Sequence, residues 1–424
     1  MSSEQTATPH TATPESVREV NRAILLGLTR RFEPLSRAEL SRRSGIFPSS
    51  VSRIVEGLIE DGLLTEERAV PTGRGKVPML LRIRDEYFQV LGIHIQPVET
   101  TVAFAGFSGE IHRTWSFPTP PDPAEFIPAA SRMIRSIAQE VRPPEGGIRH
   151  IGIGVPGFVD AAEGRITSVS TLLDYSLFPL ASELHRATGI PVSIDNDCNL
   201  GALSELRRMQ SRQDAAKRDF LFVSIGDYGV GAGLILGGEL YRGHDSRFAA
   251  EVGHIIVDVN GPPCSCGRRG CLEKYIANTA TWRRYKPRAA FSRDGFREML
   301  RDAADGKAKA AAAVRETARY IALAASNLTS VLNPAEIVLA GEITEAFPLI
   351  CEAVETLFRS PFTKVNMRRS LWPREAPLLH GAVCLALSRA TPTLAFGMGV
   401  DTGSQRPNSG IQCPPPQGGV LRQP

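Results

Sequence analysis

The chain holds 424 residues, 42% hydrophobic, 22% charged and 7% aromatic, with a formal charge of +4. That length can bury the cores of two or three domains, and the composition excludes a mainly disordered chain, a collagen-like repeat and a disulfide-stapled miniprotein. No apolar run approaches the ~20 residues needed to span a bilayer, and the opening MSSEQTATPHTATPE lacks the features of a secretory signal, so the chain reads as soluble and cytoplasmic.

Residues 1–14 and 392–424 are polar, Pro-rich stretches unable to bury enough apolar surface, and both are expected to be disordered tails. Between them, residues 15–63 have the apolar spacing of three short helices, followed by a polar, Gly-containing hairpin over 65–78 and the apolar run Met79-Leu80-Leu81. Residues 15–84 hold 13 Lys/Arg against 9 Asp/Glu, so the whole formal excess lies in this stretch. Such a local excess suits a polyanion partner such as DNA; an ordinary mixed surface is the plainer alternative.

Within this stretch Ser36 and Glu39 have the spacing of a capping box opening a helix that runs to Arg43. Ser44-Gly45-Ile46 turns the chain, and Pro48 suits the first turn of the next helix, where its missing N–H has no partner to lose. Val51, Ile54, Val55, Leu58 and Ile59 form that helix's apolar stripe, leaving Ser49, Ser50, Ser52 and Arg53 on the open face. This is the pattern of a helix-turn-helix whose second helix enters the major groove. Arg74 and Lys76, in Thr72-Gly73-Arg74-Gly75-Lys76, would be the cations of a wing tip reaching DNA phosphates or a minor groove. A small helical bundle docking another protein would share most of these features.

From Tyr87 onward strands alternate with helices, the α/β pattern. Apolar runs at 88–95, 100–107, 150–155, 192–195, 220–225, 231–236 and 337–340 predict strands, and the Ala-rich 308–332 predicts a helix ending ahead of Asn333-Pro334. The first two strands and 111–117 lie too close together for crossovers and are expected to form an antiparallel meander. The chain thus divides into a DNA-binding part over 15–84 and an α/β part over 85–391.

Seven cysteines stand at 198, 264, 266, 271, 351, 384 and 413. The odd number and the tight central group point to a metal site in a reducing compartment rather than to disulfides. His254, Cys264, Cys266 and Cys271, all within 18 residues, fit a closed tetrahedral zinc site of the structural kind, and Gly261, Pro262, Pro263, Gly267 and Gly270 allow the chain to wrap one ion. Free thiols on a loop are the alternative.

The pattern Glu251-x-Gly253-His254…Cys264-x-Cys266-Gly-x-x-Gly-Cys271-Leu-Glu273 resembles that of the ROK family of sugar kinases and repressors. Further segments are similar: Gly152-Ile-Gly-Val-Pro-Gly157, Asp195-Asn196-Asp197, Gly229-Val-Gly-Ala-Gly233 and the run from Leu332 to Gly341. SRAELSRRSGI…SSVSRIVEGLIEDGLL followed by GRGKVP looks like the winged helix-turn-helix of the family's repressors, with Pro48 replacing a more usual polar residue. The resemblance implies an N-terminal winged helix-turn-helix plus a two-lobed actin-like (ribonuclease H-like) domain of the ATPase type. It also implies that Asn196, Asp197, Glu251, His254 and Glu273 hold sugar hydroxyls, with His254 giving its other ring nitrogen to zinc. Without it, Asp195 and Asp197 would read as a solvated turn. Where relatives carry Pro-Asn-Leu, this chain has Ser170-Thr171-Leu172.

A ROK kinase also needs an Asp-x-Gly-Gly-Thr phosphate loop after its first strand. Here His94 stands for the aspartate, Gln96 and Pro97 for the glycines and Val98 for the threonine, with Glu99 adjacent. Pro97 has no N–H to offer a phosphate, and Glu99 would repel one. Asp227-Tyr228 and Glu342 depart from the kinase pattern at the nucleotide end as well, whereas Asp197, the kinase general base, is kept. The expected protein is therefore a non-catalytic, zinc-containing, sugar-responsive repressor that acts on operator DNA as a homodimer or homotetramer. An active sugar kinase with an attached DNA-binding domain is the second reading.

Overall fold

In the computed structural model, which describes residues 14–70, 77–143, 147–169, 172–211, 219–243, 249–357, 364–374 and 376–391, three helices come first: α1 (Pro14–Phe32), α2 (Arg37–Ser44) and α3 (Pro48–Glu60). Pro14, expected in the tail, already belongs to α1. Ser36 Oγ accepts the Glu39 N–H at 3.2 Å and caps α2 as expected. The other half of the capping box is different, because the Glu39 carboxylate takes Arg43 one turn on, at 2.9 Å. Gly45 turns the chain at φ +70°, and Pro48 opens α3. Val51, Ile54, Val55 and Leu58 are buried as the stripe predicts. Strands β1 (Leu64–Arg68) and β2 (Met79–Ile83) pair antiparallel as the stem of a wing. The Arg37 guanidinium binds both Glu66 carboxylate oxygens at 2.9 Å, tying α2 to β1. The predicted tip, with Arg74 and Lys76, lies outside the described residues.

The first lobe follows: β3 (Gln89–Ile95), β4 (Glu99–Gly106), β5 (Ile111–Pro118), α4 (Pro123–Val141), β6 (Ile148–Val155), the hairpin β7 (Phe158–Asp160) and β8 (Arg165–Ser168), α5 (Leu180–Thr188) and β9 (Val192–Asn196). Helix α6 (Asp197–Ser211) leads to the second lobe, with β10 (Phe220–Ile225), β11 (Val230–Leu236), β12 (Glu239–Tyr241), α7 (Glu273–Ile276), α8 (Asn278–Tyr285), α9 (Arg293–Ala304), α10 (Ala308–Leu332), β13 (Glu336–Ala340), α11 (Phe347–Leu357) and β14 (Met367–Arg369). Helix α12 (Ala376–Ala390) returns to the first lobe.

The two main sheets share one plan. Strand order is β5-β4-β3-β6-β9 in the first and β12-β11-β10-β13-β14 in the second. Each consists of the predicted kind of antiparallel meander followed by two parallel strands. This duplicated plan is the actin-like fold. Helix α12 lies close on β3 and β6 because Gly152 has no side chain: a Cβ there would stand 2.1 Å from the Ala382 carbonyl. The short strands β7, β8, β12 and β14 were not foreseen; each has three or four residues, too few for a periodic signal.

The helical module is not tethered at a distance. Leu25, Leu26, Val55 and Leu58 belong to one apolar cluster with Phe88, Val90, Ala103 and Phe107 of the first lobe and Val383, Ala386 and Leu387 of α12. A tilt of the first lobe therefore moves the helices with it. Among the described residues no helix is long and apolar enough to cross a membrane.

Candidate functional site

Strand β9 ends and α6 begins in the cleft, which exposes the backbone N–H groups of the helix's first turn. Asn196 is their cap: its Oδ1 accepts the N–H groups of Cys198 at 2.9 Å and Asn199 at 3.0 Å. Its Nδ2 donates to the Gly157 carbonyl at 2.9 Å. Expected as a ligand group, Asn196 thus has its oxygen occupied and keeps one amide hydrogen for anything else. Asp197 follows at the first position of α6, and its Oδ2 stands 3.4 Å from His94 Nε2 on β3.

Asp195 is not the solvated turn residue that its sequence context alone suggests. It is 1% exposed, and Arg242 binds it through both terminal nitrogens, Nη1 at 3.0 Å from Oδ1 and Nη2 on Oδ2. A buried carboxylate needs such a partner. Gly157, Val159, Asn196, Asn199, Arg242, Ala249 and Glu251 line a polar cleft. Arg242 and Asn199 were not foreseen. Arg242 lies 47 residues from its partner and belongs to no motif, and Asn199, in the first turn of α6, reaches back to Asp195 at the end of β9 only because the strand runs straight into the helix.

Glu251 is exposed at the cleft, yet crowding by protein, then the charges of Asp197 and Glu273, push its carboxyl up to about 7, with Arg268 pulling the other way. Glu251 thus feels the charge of the other two predicted carboxylates. Glu273 is buried at the start of α7, with Oε1 3.0 Å from Lys274 Nζ and 3.1 Å from Cys264 Sγ. Of the Ser170-Thr171-Leu172 segment, only Leu172 lies in the described residues, and it is buried.

His254, Cys264, Cys266 and Cys271 come together as expected, with all four ligand atoms within 4.8 Å of one another. Cys264 Sγ is 3.6 Å from His254 Nδ1, and Cys266 Sγ is 3.6 Å from Cys271 Sγ. A tetrahedron with metal–ligand bonds of ~2.0–2.3 Å has edges of about 3.3–3.8 Å; the two 3.6 Å separations match such edges, and the set could hold a metal ion. The loop closes because Gly270 adopts φ +67°, where a Cβ would fall 1.6 Å from the Asp258 carbonyl. Burial pushes the Cys264 and Cys271 thiols up, the latter to about 12. At Cys266, burial is outweighed by donors from Arg268 and the neighbouring thiols, and its value falls to about 7. Three thiols this close cannot all ionise unaided; a divalent cation held among them would supply the missing charge.

Two of the residues expected to depart from the kinase pattern, Asp227 and Glu342, are each held by an arginine. Asp227 Oδ2 accepts Arg293 Nε at 3.0 Å and Nη2 at 2.6 Å. Glu342 Oε1 accepts Arg297 Nε at 2.8 Å and Nη2 at 2.6 Å. Both arginines lie on α9, one turn apart. In the β3–β4 turn, Gln96 N–H donates to the Glu99 carbonyl at 3.2 Å and Val98 is exposed.

Fold and cleft together define a two-lobed protein of the sugar-kinase type whose first lobe carries a winged helix-turn-helix. Residues 90–383 match the ROK family and residues 19–75 the MarR family. The chain belongs to the ROK family. It is similar to the xylose repressor of Bacillus subtilis (strain 168), at 26% identity over 80% of this chain and 86% of that protein. It is also similar to the DNA-binding transcriptional dual regulator NagC of Escherichia coli (strain K12), at 26% identity over 82% and 86%. A solved ROK family transcriptional regulator, a homologue of the E. coli MLC protein, shares the fold with a TM-score of 0.71 at 23% identity, over 90% of this chain and 99% of that one.

Proposed function

We propose that this protein is a cytoplasmic, sugar-responsive transcriptional repressor, with residues 15–84 as its DNA-binding part and 85–391 as its effector-binding part. The observation that carries the reading is the apolar cluster shared by α1, α3, the first lobe and α12, because it joins the helices to the walls of the cleft. The names of the relatives agree with it.

On this reading Asp197, Glu251, His254 and Glu273 hold sugar hydroxyls, with Asn196 contributing its remaining amide hydrogen. His254, Cys264, Cys266 and Cys271 hold one zinc ion, which would order the loop that presents Glu251 and Glu273. Ser49, Ser50, Ser52, Arg53, Arg74 and Lys76 face operator DNA, and a homodimer or homotetramer presents paired recognition helices to a pseudo-palindromic site. Helix α6 begins at Asp197 and reaches Arg207 about 15 Å further on. There Arg207 donates to the Ser108 carbonyl at 3.3 Å and lies near Arg30 of α1. Sugar that draws the lobes together would shift α6 against α1 and lower operator affinity through its preference for one of two states.

The chain acts as a regulator and not as a kinase. Support for this comes from Pro97 and Val98 in the β3–β4 turn and from the Asp227–Arg293 and Glu342–Arg297 pairs. The test is binding to the gene's own upstream DNA, titrated with a panel of sugars and sugar phosphates. Release by one of them without ATP is expected. ATP-dependent phosphorylation of that sugar at ~1–100 s⁻¹ would overturn the regulator-only reading.

A further inference from the structure

Phe47 is 80% exposed, an unusual position for so large an apolar side chain. It directly precedes α3, and Pro48 and Ser49 beside it are exposed too. Its neighbour Ile46 turns the other way and packs against the apolar cluster of the helical module. The backbone here is pinned on both sides. Ser41 Oγ donates to the Ile46 carbonyl at 2.7 Å, Ile46 N–H donates to Ser44 Oγ at 3.2 Å, and the Phe47 carbonyl accepts the Val51 N–H at 3.0 Å. A fixed turn therefore holds an aromatic ring in solvent at the leading end of the helix proposed to enter DNA. No side chain caps α3.

We infer that Phe47 is a specificity-determining residue that reads thymine through its C5-methyl group in the major groove. This rests on the DNA-binding reading of α3. The occupant follows from charge and chemistry. Exposed Arg42 and Arg53 flank the turn, and the positive excess of the chain lies in residues 15–84, which favours a polyanion over an apolar protein surface. In the major groove, base edges present hydrogen-bond donors and acceptors plus one apolar group, the methyl of thymine. A phenyl ring can make no donor or acceptor match there, so the methyl is the group it can recognise. Ser49, Ser50, Ser52 and Arg53 remain available for polar edges and phosphates.

The test uses the full-length protein and its own upstream operator, with each thymine replaced in turn by deoxyuridine, which lacks the methyl. One position per half-site is expected to weaken wild-type binding about fourfold, or about fifteenfold when both half-sites of a two-fold site are changed. Phe47→Ala should bind the thymine operator with the same loss and show no further loss on deoxyuridine, with its salt dependence unchanged because no phosphate contact is removed. Phe47→Leu should keep part of the discrimination, and equal melting temperatures would show that both variants fold. The inference is overturned if deoxyuridine has no effect at any position, or if Phe47→Ala still distinguishes the two bases. Failure of the wild type to bind any upstream DNA specifically would overturn the DNA-binding reading, and the inference with it.

Discussion

His94 Nε2 and Asp197 Oδ2 stand 3.4 Å apart in the cleft, joining two residues 103 positions apart in the chain. One stands where a ROK kinase is expected to carry a metal-binding aspartate, and the other where it carries the general base. On the proposed reading, with an imidazole as neighbour and Pro97 in the following turn, Asp197 serves as a group that accepts hydrogen bonds from the effector. Asp197→Asn should therefore weaken effector binding by ~1–3 kcal/mol while leaving operator affinity of the sugar-free protein unchanged. Calorimetry with the effector and gel shifts without it separate these effects. A normal sugar response in the variant would mean that the pocket is elsewhere.

Metal analysis of protein purified without chelators should find one zinc ion per chain. Cys266→Ser should lose it and make the segment between Glu251 and Glu273 more sensitive to protease, because binding and local folding are linked. Wild-type protein without zinc at full stability would refute the assignment.

Arg30 lies under the helical module with its guanidinium over the Phe107 ring at 4.4 Å, and its Nε and Nη2 atoms are buried without a hydrogen-bond partner. Burial, then the nearby Arg207, pushes its value down to about 9. Arg30→Met removes a buried charge whose burial the neighbouring Glu33 and Asp85 only partly offset, and keeps most of the apolar contact. It should stabilise the protein by about 1–2 kcal/mol, read as a higher denaturation midpoint. A lower midpoint would show that the ring contact outweighs the desolvation.

His150 is buried beside Ser193, 3.0 Å from its hydroxyl, and burial, then Arg389, lowers its value to about 4. His380, stacked on Trp372, is likewise lowered to about 4, by burial, then Arg208 and Arg207. Both stay neutral in the fold while the unfolded chain takes up protons below about 6.5, so stability is full above that pH and falls as pH drops towards 4. Between pH 6.5 and 5 the His150 contribution is about 2 kcal/mol. Urea denaturation at several pH values should show this fall, and His150→Gln should flatten it.

Arg53→Ala should weaken operator binding and reduce the slope of log affinity against log salt by about one unit if the guanidinium meets a phosphate. An unchanged slope would remove it from the backbone contacts.

Features legible in the sequence are local ones. The helix-turn-helix follows from apolar spacing within α3 and a glycine turn, and four candidate metal ligands within 18 residues can be recognised because little chain must fold to join them. The strands and α10 could be read for the same reason, since periodicity reports which face of each element is buried. Other features depend on contacts between distant segments. Asn196 looks like a ligand residue in the Asp195-Asn196-Asp197 tripeptide, and only the start of α6 directly after it makes its oxygen a helix cap. Asp195 looks solvated until Arg242, 47 residues on, is brought against it. The core shared by α1, the first lobe and α12 likewise has no local signature, because each element shows only that it has an apolar face. Periodicity states that a face must be covered; which element covers it is decided when the whole chain packs, and that choice joins the helical module to the cleft.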